Sequence, residues 1–305
     1  MVIFHRINGF KEIVFLEFSM EAYLEIVRKI LQKGVRAKNR TGVDTIAIFG
    51  EKFEHDMADG FPLVTTKKLL YPQVLSELEF FIKGLTDKRW LQERNNHIWD
   101  AWSGRISYIH DDEKKRKMLE ESDLGPIYGF QWRHFGAEYR GLEADYTGQG
   151  VDQLANLVNT IKTNPTDRRM IVSAWNPAQL HLMALPACHY QFQVNISEDK
   201  LNLAWTQRSV DTMLGLPFNI ASYATLLHLL AKETGYKEGK LVGFLGDTHM
   251  YVNHSEGAEE QLSRKPFSLP TIETENFTSI FDWKYTDTKV LNYQHHPFIR
   301  FPIAV

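Results

Sequence analysis

The run from Leu185 to Tyr223 constrains this chain more than any other, because strand-forming segments and the opening of a buried helix follow one another within it. Tyr190 to Ile196 and Leu201 to Thr206 read as strands, and the apolar residues from Ile220 through Leu230 read as a long helix. The same run holds the sole cysteine, Cys188, with His189 beside it. Gln207-Arg208-Ser209 follows, then Asp211, then Leu214-Gly215-Leu216-Pro217-Phe218-Asn219 at the start of the helix. A lone cysteine is by default an inert buried hydrophobe. Here its neighbours favour a nucleophile: a guanidinium lowers a thiol pKa, and Arg208 with Ser209 supplies donors for a substrate anion.

Composition excludes several alternatives. The 305 residues are 43% hydrophobic and 24% charged, enough for a substantial core in an ordinary globular protein. A net charge of −3 gives no electrostatic case for binding nucleic acid or a membrane. One cysteine rules out an internal disulfide and fits a reducing compartment. No apolar run approaches a membrane span. The first 19 residues are interrupted by Arg6, Lys11, Glu12 and Glu17, so no signal peptide is expected and the cytoplasm is the expected location.

Along the chain, residues 1–19 form either an edge strand or a disordered leader. Tyr23, Ile26, Val27, Ile30 and Leu31 have helical spacing, ending at Gly34. Thr45 to Gly50 alternates as a strand, and Val74, Leu75, Leu78, Phe81 and Ile82 mark a second helix. That helix carries Glu77 and Glu79, which two-residue spacing puts on different faces; one is expected at the core or site and the other in solvent. The charged stretch of about 103–122 reads as a solvated surface insertion. Val151 to Ile161 predicts a helix and Met170 to Trp175 a strand, with strand character again at Phe244. There is no internal repeat and no linker, so one α+β domain over 20–305 is expected.

Four arginines draw attention: Arg40, Arg168, Arg169 and Arg208. Each alone is more often a solvated surface residue. Adjacent arginines before one strand, with Arg-Ser after another, form a plausible phosphate cage. The glycine-rich patterns of nucleotide-binding loops are missing.

Pro-x-Cys-His, Gln-Arg-Ser-x-Asp, Leu-Gly-Leu-Pro-Phe-Asn-Ile-Ala-Ser-Tyr and Gly246-Asp247-Thr248-His249-Met250-Tyr251 together resemble the thymidylate synthase family, and the likeness runs from Met20 to Val305. The resemblance implies a single α+β domain with a large mixed sheet packed by helices, and a homodimer joined sheet to sheet. It implies that dUMP and 5,10-methylenetetrahydrofolate are the substrates, with no metal, membrane or nucleic acid required. Cys188 would attack carbon 6 of dUMP, and Glu77, Tyr128, His189 and Gln207 would organise the water and proton network. Arg40, Arg208 and Ser209 would grip the 5′-phosphate, joined by Arg168 and Arg169 from the other subunit. Asn219 would read the uracil edge, while also suiting a helix cap, and His249 and Tyr251 would hold the 3′-hydroxyl. Ile98, Trp99, Trp102, Asp211, Leu214 and Phe218 would wall the folate, and Val305 would close over both ligands.

The match has departures. Glu79 and Phe80 stand where this family usually has Leu and Trp, Ala187 replaces a proline, and Gln191 and Thr206 replace apolar and tyrosine residues. The related deoxycytidylate hydroxymethylases carry a Glu-Leu-Glu-Trp run here. Glu79 is therefore a candidate for ordering a water, which would convert the same covalent adduct into 5-hydroxymethyl-dUMP, leaving tetrahydrofolate unoxidised. Retained Trp99 favours methyl transfer, giving dTMP and dihydrofolate. A catalytically idle regulator that binds nucleotide or RNA is disfavoured by Cys188, Glu77, Asn219 and the intact arginine set.

Overall fold

The computed structural model describes residues 2–7, 10–15, 20–101 and 121–304. Trp102, Val305 and nearly all of the charged insertion lie outside the described residues. Near the N-terminus, β1 (Val2–Ile7) and β2 (Phe10–Phe15) pair antiparallel with each other.

Then come α1 (Glu21–Lys33), β3 (Val35–Ala37), β4 (Thr45–Asp56), α2 (Tyr71–Ile82), α3 (Arg89–Gln92), α4 (Tyr128–His134) and α5 (Gln153–Thr163). β5 (Ile171–Ser173), β6 (His189–Ser197), β7 (Lys200–Asp211), α6 (Gly215–Thr234), β8 (Lys237–Tyr251) and α7 (Ser255–Ser263) follow, and a small antiparallel pair, β9 (Thr271–Thr274) with β10 (Thr288–Leu291), lies towards the end.

Six strands form one mixed sheet in the order β3-β4-β8-β7-β6-β5. All neighbours are antiparallel except β7 and β8, which run parallel. Parallel neighbours need a crossover, and α6 is that crossover. It packs on β7 and β8, while α1 packs on β4 and α2 on α6. Helix α6 is apolar nearly all round because it is sandwiched: Leu216, Ile220, Tyr223, Leu226, Leu227, Leu229 and Leu230 are all buried.

Alternation along the strands sends Leu203, Trp205, Leu241 and Leu245 into this helical layer. The intervening positions Asn202, Ala204, Thr206, Lys240, Val242 and Phe244 are half-buried or exposed. Phe49 of β4 is 87% exposed and Phe244 of β8 is 50% exposed.

The four expected helices occur as α1, α2, α5 and α6, the shorter α3, α4 and α7 were not expected, and three strands are misjudged in length. β4 continues beyond Gly50, whose φ of +83° is accommodated while pairing resumes at Glu51 opposite Leu245. β7 extends through Asp211, so Gln207, Arg208 and Ser209 lie within a strand rather than after it. β5 is shorter than the Met170 to Trp175 expected. Glu79 does not meet solvent: it is 3% exposed, salt-bridged to Lys83 at 2.8 Å and accepting from the Tyr285 amide at 2.8 Å.

Candidate active site

The site forms where the parallel pair β7 and β8 ends and β6 begins, the end of a parallel unit where ligands usually bind. Register fixes its members. His189 lies opposite Gln207 across β6 and β7, while Ser209 and Asp211 lie opposite Asp247 and His249 across β7 and β8.

Cys188 is half-buried immediately before β6. Its amide donates to the Tyr128 hydroxyl at 2.7 Å, and its carbonyl accepts from the Arg208 amide at 2.9 Å. The Arg208 side chain is held by the carbonyls of Ala187 (2.9 Å) and Pro186 (2.7 Å), which leaves Nη2 at 3.8 Å from the Cys188 sulfur. Burial pushes the thiol above its ordinary pKa, while Arg208, a hydrogen bond with Tyr128 and the charge of Arg40 pull it down. Ala187, where the family has proline, is fully buried.

Tyr128, whose hydroxyl accepts from the Cys188 amide, belongs to an aromatic stack. Tyr128 lies over His189 with ring centres 4.3 Å apart and over Phe81 at 4.9 Å, with the edge of Trp99 at 6.1 Å. His189 is bonded through Nδ1 to the Tyr223 hydroxyl at 2.9 Å, and burial depresses its pKa to about 3, so the ring is neutral at pH 7. Glu77 accepts from Trp99 Nε1 at 2.7 Å. Burial raises this carboxyl to about 7, against the smaller downward pull of that hydrogen bond.

The half-buried Asn219 sits in the second turn of α6, its Oδ1 accepting from Gln207 Nε2 at 3.0 Å. Asp211 Oδ1 accepts from the amides of Met213 (3.1 Å) and Leu214 (3.0 Å), closing the turn that starts α6. His249 faces Asp247 at 3.0 Å, and Tyr251 meets the His249 ring edge-on at 5.7 Å. Ile98, Leu214 and Phe218 are half-buried and pack on the core, and Trp99 is buried.

Not every candidate converges. Arg40 is exposed, though its charge reaches Cys188 and Tyr251. Arg168 and Arg169 are exposed on the approach to β5, where Arg169 pairs loosely with Asp167 at 3.8 Å. Glu79, two residues from Glu77, is turned about 200° around the helix and its carboxylate is occupied by Lys83 and Tyr285. Nothing in that placement suits the water-ordering role. Gln191 and Thr206 are cross-strand partners whose side chains approach to 3.4 Å, in register with exposed Phe244. Both side chains are half-buried, and their contact is with each other.

Sequence reading missed Tyr223, which anchors His189, and Trp175, whose ring lies 5.5 Å from the Arg208 guanidinium. The only available signal was that each aromatic carries a polar tip within an apolar run. Among the described residues, no three His, Cys, Asp or Glu side chains cluster as metal ligands, and no helix is long and apolar enough to cross a membrane.

The family model described as thymidylate synthase matches residues 21–305. The chain is 46% identical over 284 residues to the thymidylate synthase of Homo sapiens, covering 93% of this chain and 90% of that protein. It is equally 46% identical to the thymidylate synthase of Herpesvirus ateles, covering 97% of it. Against the bifunctional dihydrofolate reductase-thymidylate synthase of Leishmania major the identity is 46%, and the chain spans 55% of that relative's length. The match across nearly the whole chain and the 46% identity to two thymidylate synthases show that the chain belongs to the thymidylate synthase family.

Proposed function

We propose that this chain methylates dUMP at carbon 5 through a covalent adduct on Cys188, giving dTMP. The observation that carries the reading is the Arg208 guanidinium, clamped by two carbonyls and 3.8 Å from the Cys188 sulfur. Arg208 promotes the thiolate and, with Ser209 and Arg40, offers donors to the 5′-phosphate of dUMP.

Carbon 5 of uracil is a poor nucleophile. Addition of the thiolate at carbon 6 turns the ring into an enolate able to attack a one-carbon unit. Asn219 engages the uracil edge, and His249 with Tyr251 holds the sugar. Glu77, poised near neutrality, receives the carbon 5 proton directly or through a water that Tyr128, neutral His189 and Gln207 help to order. Ile98, Trp99, Leu214 and Phe218 supply an apolar wall suited to a flat pterin, and Asp211 a polar group at its edge. Methylenetetrahydrofolate bound there would supply the carbon unit and then the hydride that completes a methyl group, becoming dihydrofolate, while the Cys188–carbon 6 bond breaks and releases the thiolate. Trp102 and Val305 are assigned to the same wall and closure.

The hydroxymethylase alternative rested on Glu79, whose carboxylate is committed to Lys83 and Tyr285; the relatives carry the synthase name. The bare sheet face bearing Phe49 and Phe244 supports a sheet-to-sheet homodimer. In such a dimer Arg168 and Arg169 complete the partner's phosphate site. A lone cysteine fits work in a reducing compartment such as the cytoplasm. Release of tritium from carbon 5 of dUMP tests the reading: wild type should release it and Cys188→Ala should not, whereas retained release by the variant contradicts the covalent mechanism.

A further inference from the structure

Asn219 cannot by itself tell uracil from cytosine. A carboxamide turned over by 180° exchanges its donor and acceptor while filling the same space. One orientation suits the 4-oxygen and N3–H of uracil, and the other suits the 4-amino group and bare N3 of cytosine. The discrimination therefore lies in whatever holds the amide.

A short chain of hydrogen bonds running into the core does so. Asn219 Oδ1 accepts from Gln207 Nε2 at 3.0 Å, and the same Nε2 donates to the Ser209 carbonyl at 3.1 Å. Gln207 Oε1 in turn accepts from Trp205 Nε1 at 3.2 Å. The far ends of this chain are chemically unambiguous, since an indole N–H only donates and a backbone carbonyl only accepts. A reversed Gln207 would set donor against donor at Trp205 and acceptor against acceptor at Ser209. Gln207 is 3% exposed, so solvent cannot relieve either clash.

The indole is itself fixed. Trp205 is fully buried, stacked on Tyr223 with ring centres 5.3 Å apart and 9° between planes, and tilted against Phe53 at 5.9 Å. Its ring fits only because β8 has glycine opposite: a Cβ on Gly243 would lie 2.5 Å from Trp205 Cζ2.

We infer that Trp205 is a positioning residue for base recognition: its indole N–H locks Gln207, and through it Asn219, with Nδ2 towards the 4-oxygen of a uracil nucleotide. The second lone pair of Asn219 Oδ1 remains for the N3–H. This inference rests on the dUMP reading above and locates the source of its preference over dCMP.

The test replaces Trp205 by Phe and, separately, by 3-benzothienylalanine, an isostere with sulfur in place of the N–H that keeps the core filled. Dissociation constants for dUMP and dCMP are measured by equilibrium titration on each protein. Loss of one buried hydrogen bond should lower the dCMP-to-dUMP ratio of dissociation constants about tenfold. A purely structural role would weaken both nucleotides alike. An unchanged ratio in the isostere-bearing protein overturns the inference, even if the phenylalanine variant fails to fold. A wild-type chain without preference for dUMP overturns the substrate reading itself, a result distinct from the first.

Discussion

The Glu77 carboxylate and the Trp99 indole are joined by a 2.7 Å hydrogen bond, with the indole edge-on to Tyr128 at 6.1 Å, and the carboxyl is raised to about 7 by burial. A group with this pKa changes charge near working pH. Above about 7 it is ionised and can take a proton; below, it cannot. Tritium release from carbon 5 of dUMP should therefore rise with pH through about 7. Glu77→Gln should lose that inflection and fall about a hundredfold or more. An unchanged profile in the variant would remove Glu77 from the proton path.

Arg208 and Cys188 make a second prediction. Burial raises the thiol and Arg208 opposes it. Alkylation of the free protein by iodoacetamide should follow a titration above that of an ordinary cysteine. Arg208→Ala should move it higher still, slowing alkylation at neutral pH by about threefold to tenfold. Faster alkylation would show that the guanidinium does not stabilise the thiolate.

Asn219→Asp removes the amide donor and adds an acceptor to the face that reads the base. The ratio of kcat/KM for dUMP over dCMP should fall by at least about tenfold. An unchanged ratio would take Asn219 out of base recognition.

The homodimer proposed above, with Arg168 and Arg169 reaching into the partner's site, predicts shared sites. Arg168→Ala and Cys188→Ala should each be inactive alone. Mixed and refolded together, they should recover activity, because a hybrid dimer contains one site with both residues intact. Phe49→Glu, introduced into the bare face, should shift the wild-type protein towards monomer in sedimentation velocity and lower activity with it.

Much of this was legible in the sequence, and the failures share a cause. Helices α1, α2 and α5 followed from apolar spacing, and motifs singled out Cys188, Arg208 and Asn219; the structure sets Cys188 beside Arg208, and Asn219 beside its neighbour Gln207, on β7. β7 was cut short because Gln207, Arg208 and Ser209 are polar, and polarity reads as loop; a strand that lines a site violates the pattern of a strand that only packs. One of Glu77 and Glu79 was expected in solvent and neither is exposed; spacing could not show this because one partner of Glu79, the Tyr285 amide, is 206 residues away along the chain. Trp205 was legible as core, but spacing says nothing about where an indole N–H points.

The most direct measurement is the product itself. Purified protein with dUMP and methylenetetrahydrofolate should yield dTMP by mass spectrometry, with one dihydrofolate appearing by absorbance for each dTMP formed. Formation of 5-hydroxymethyl-dUMP without dihydrofolate would contradict the account.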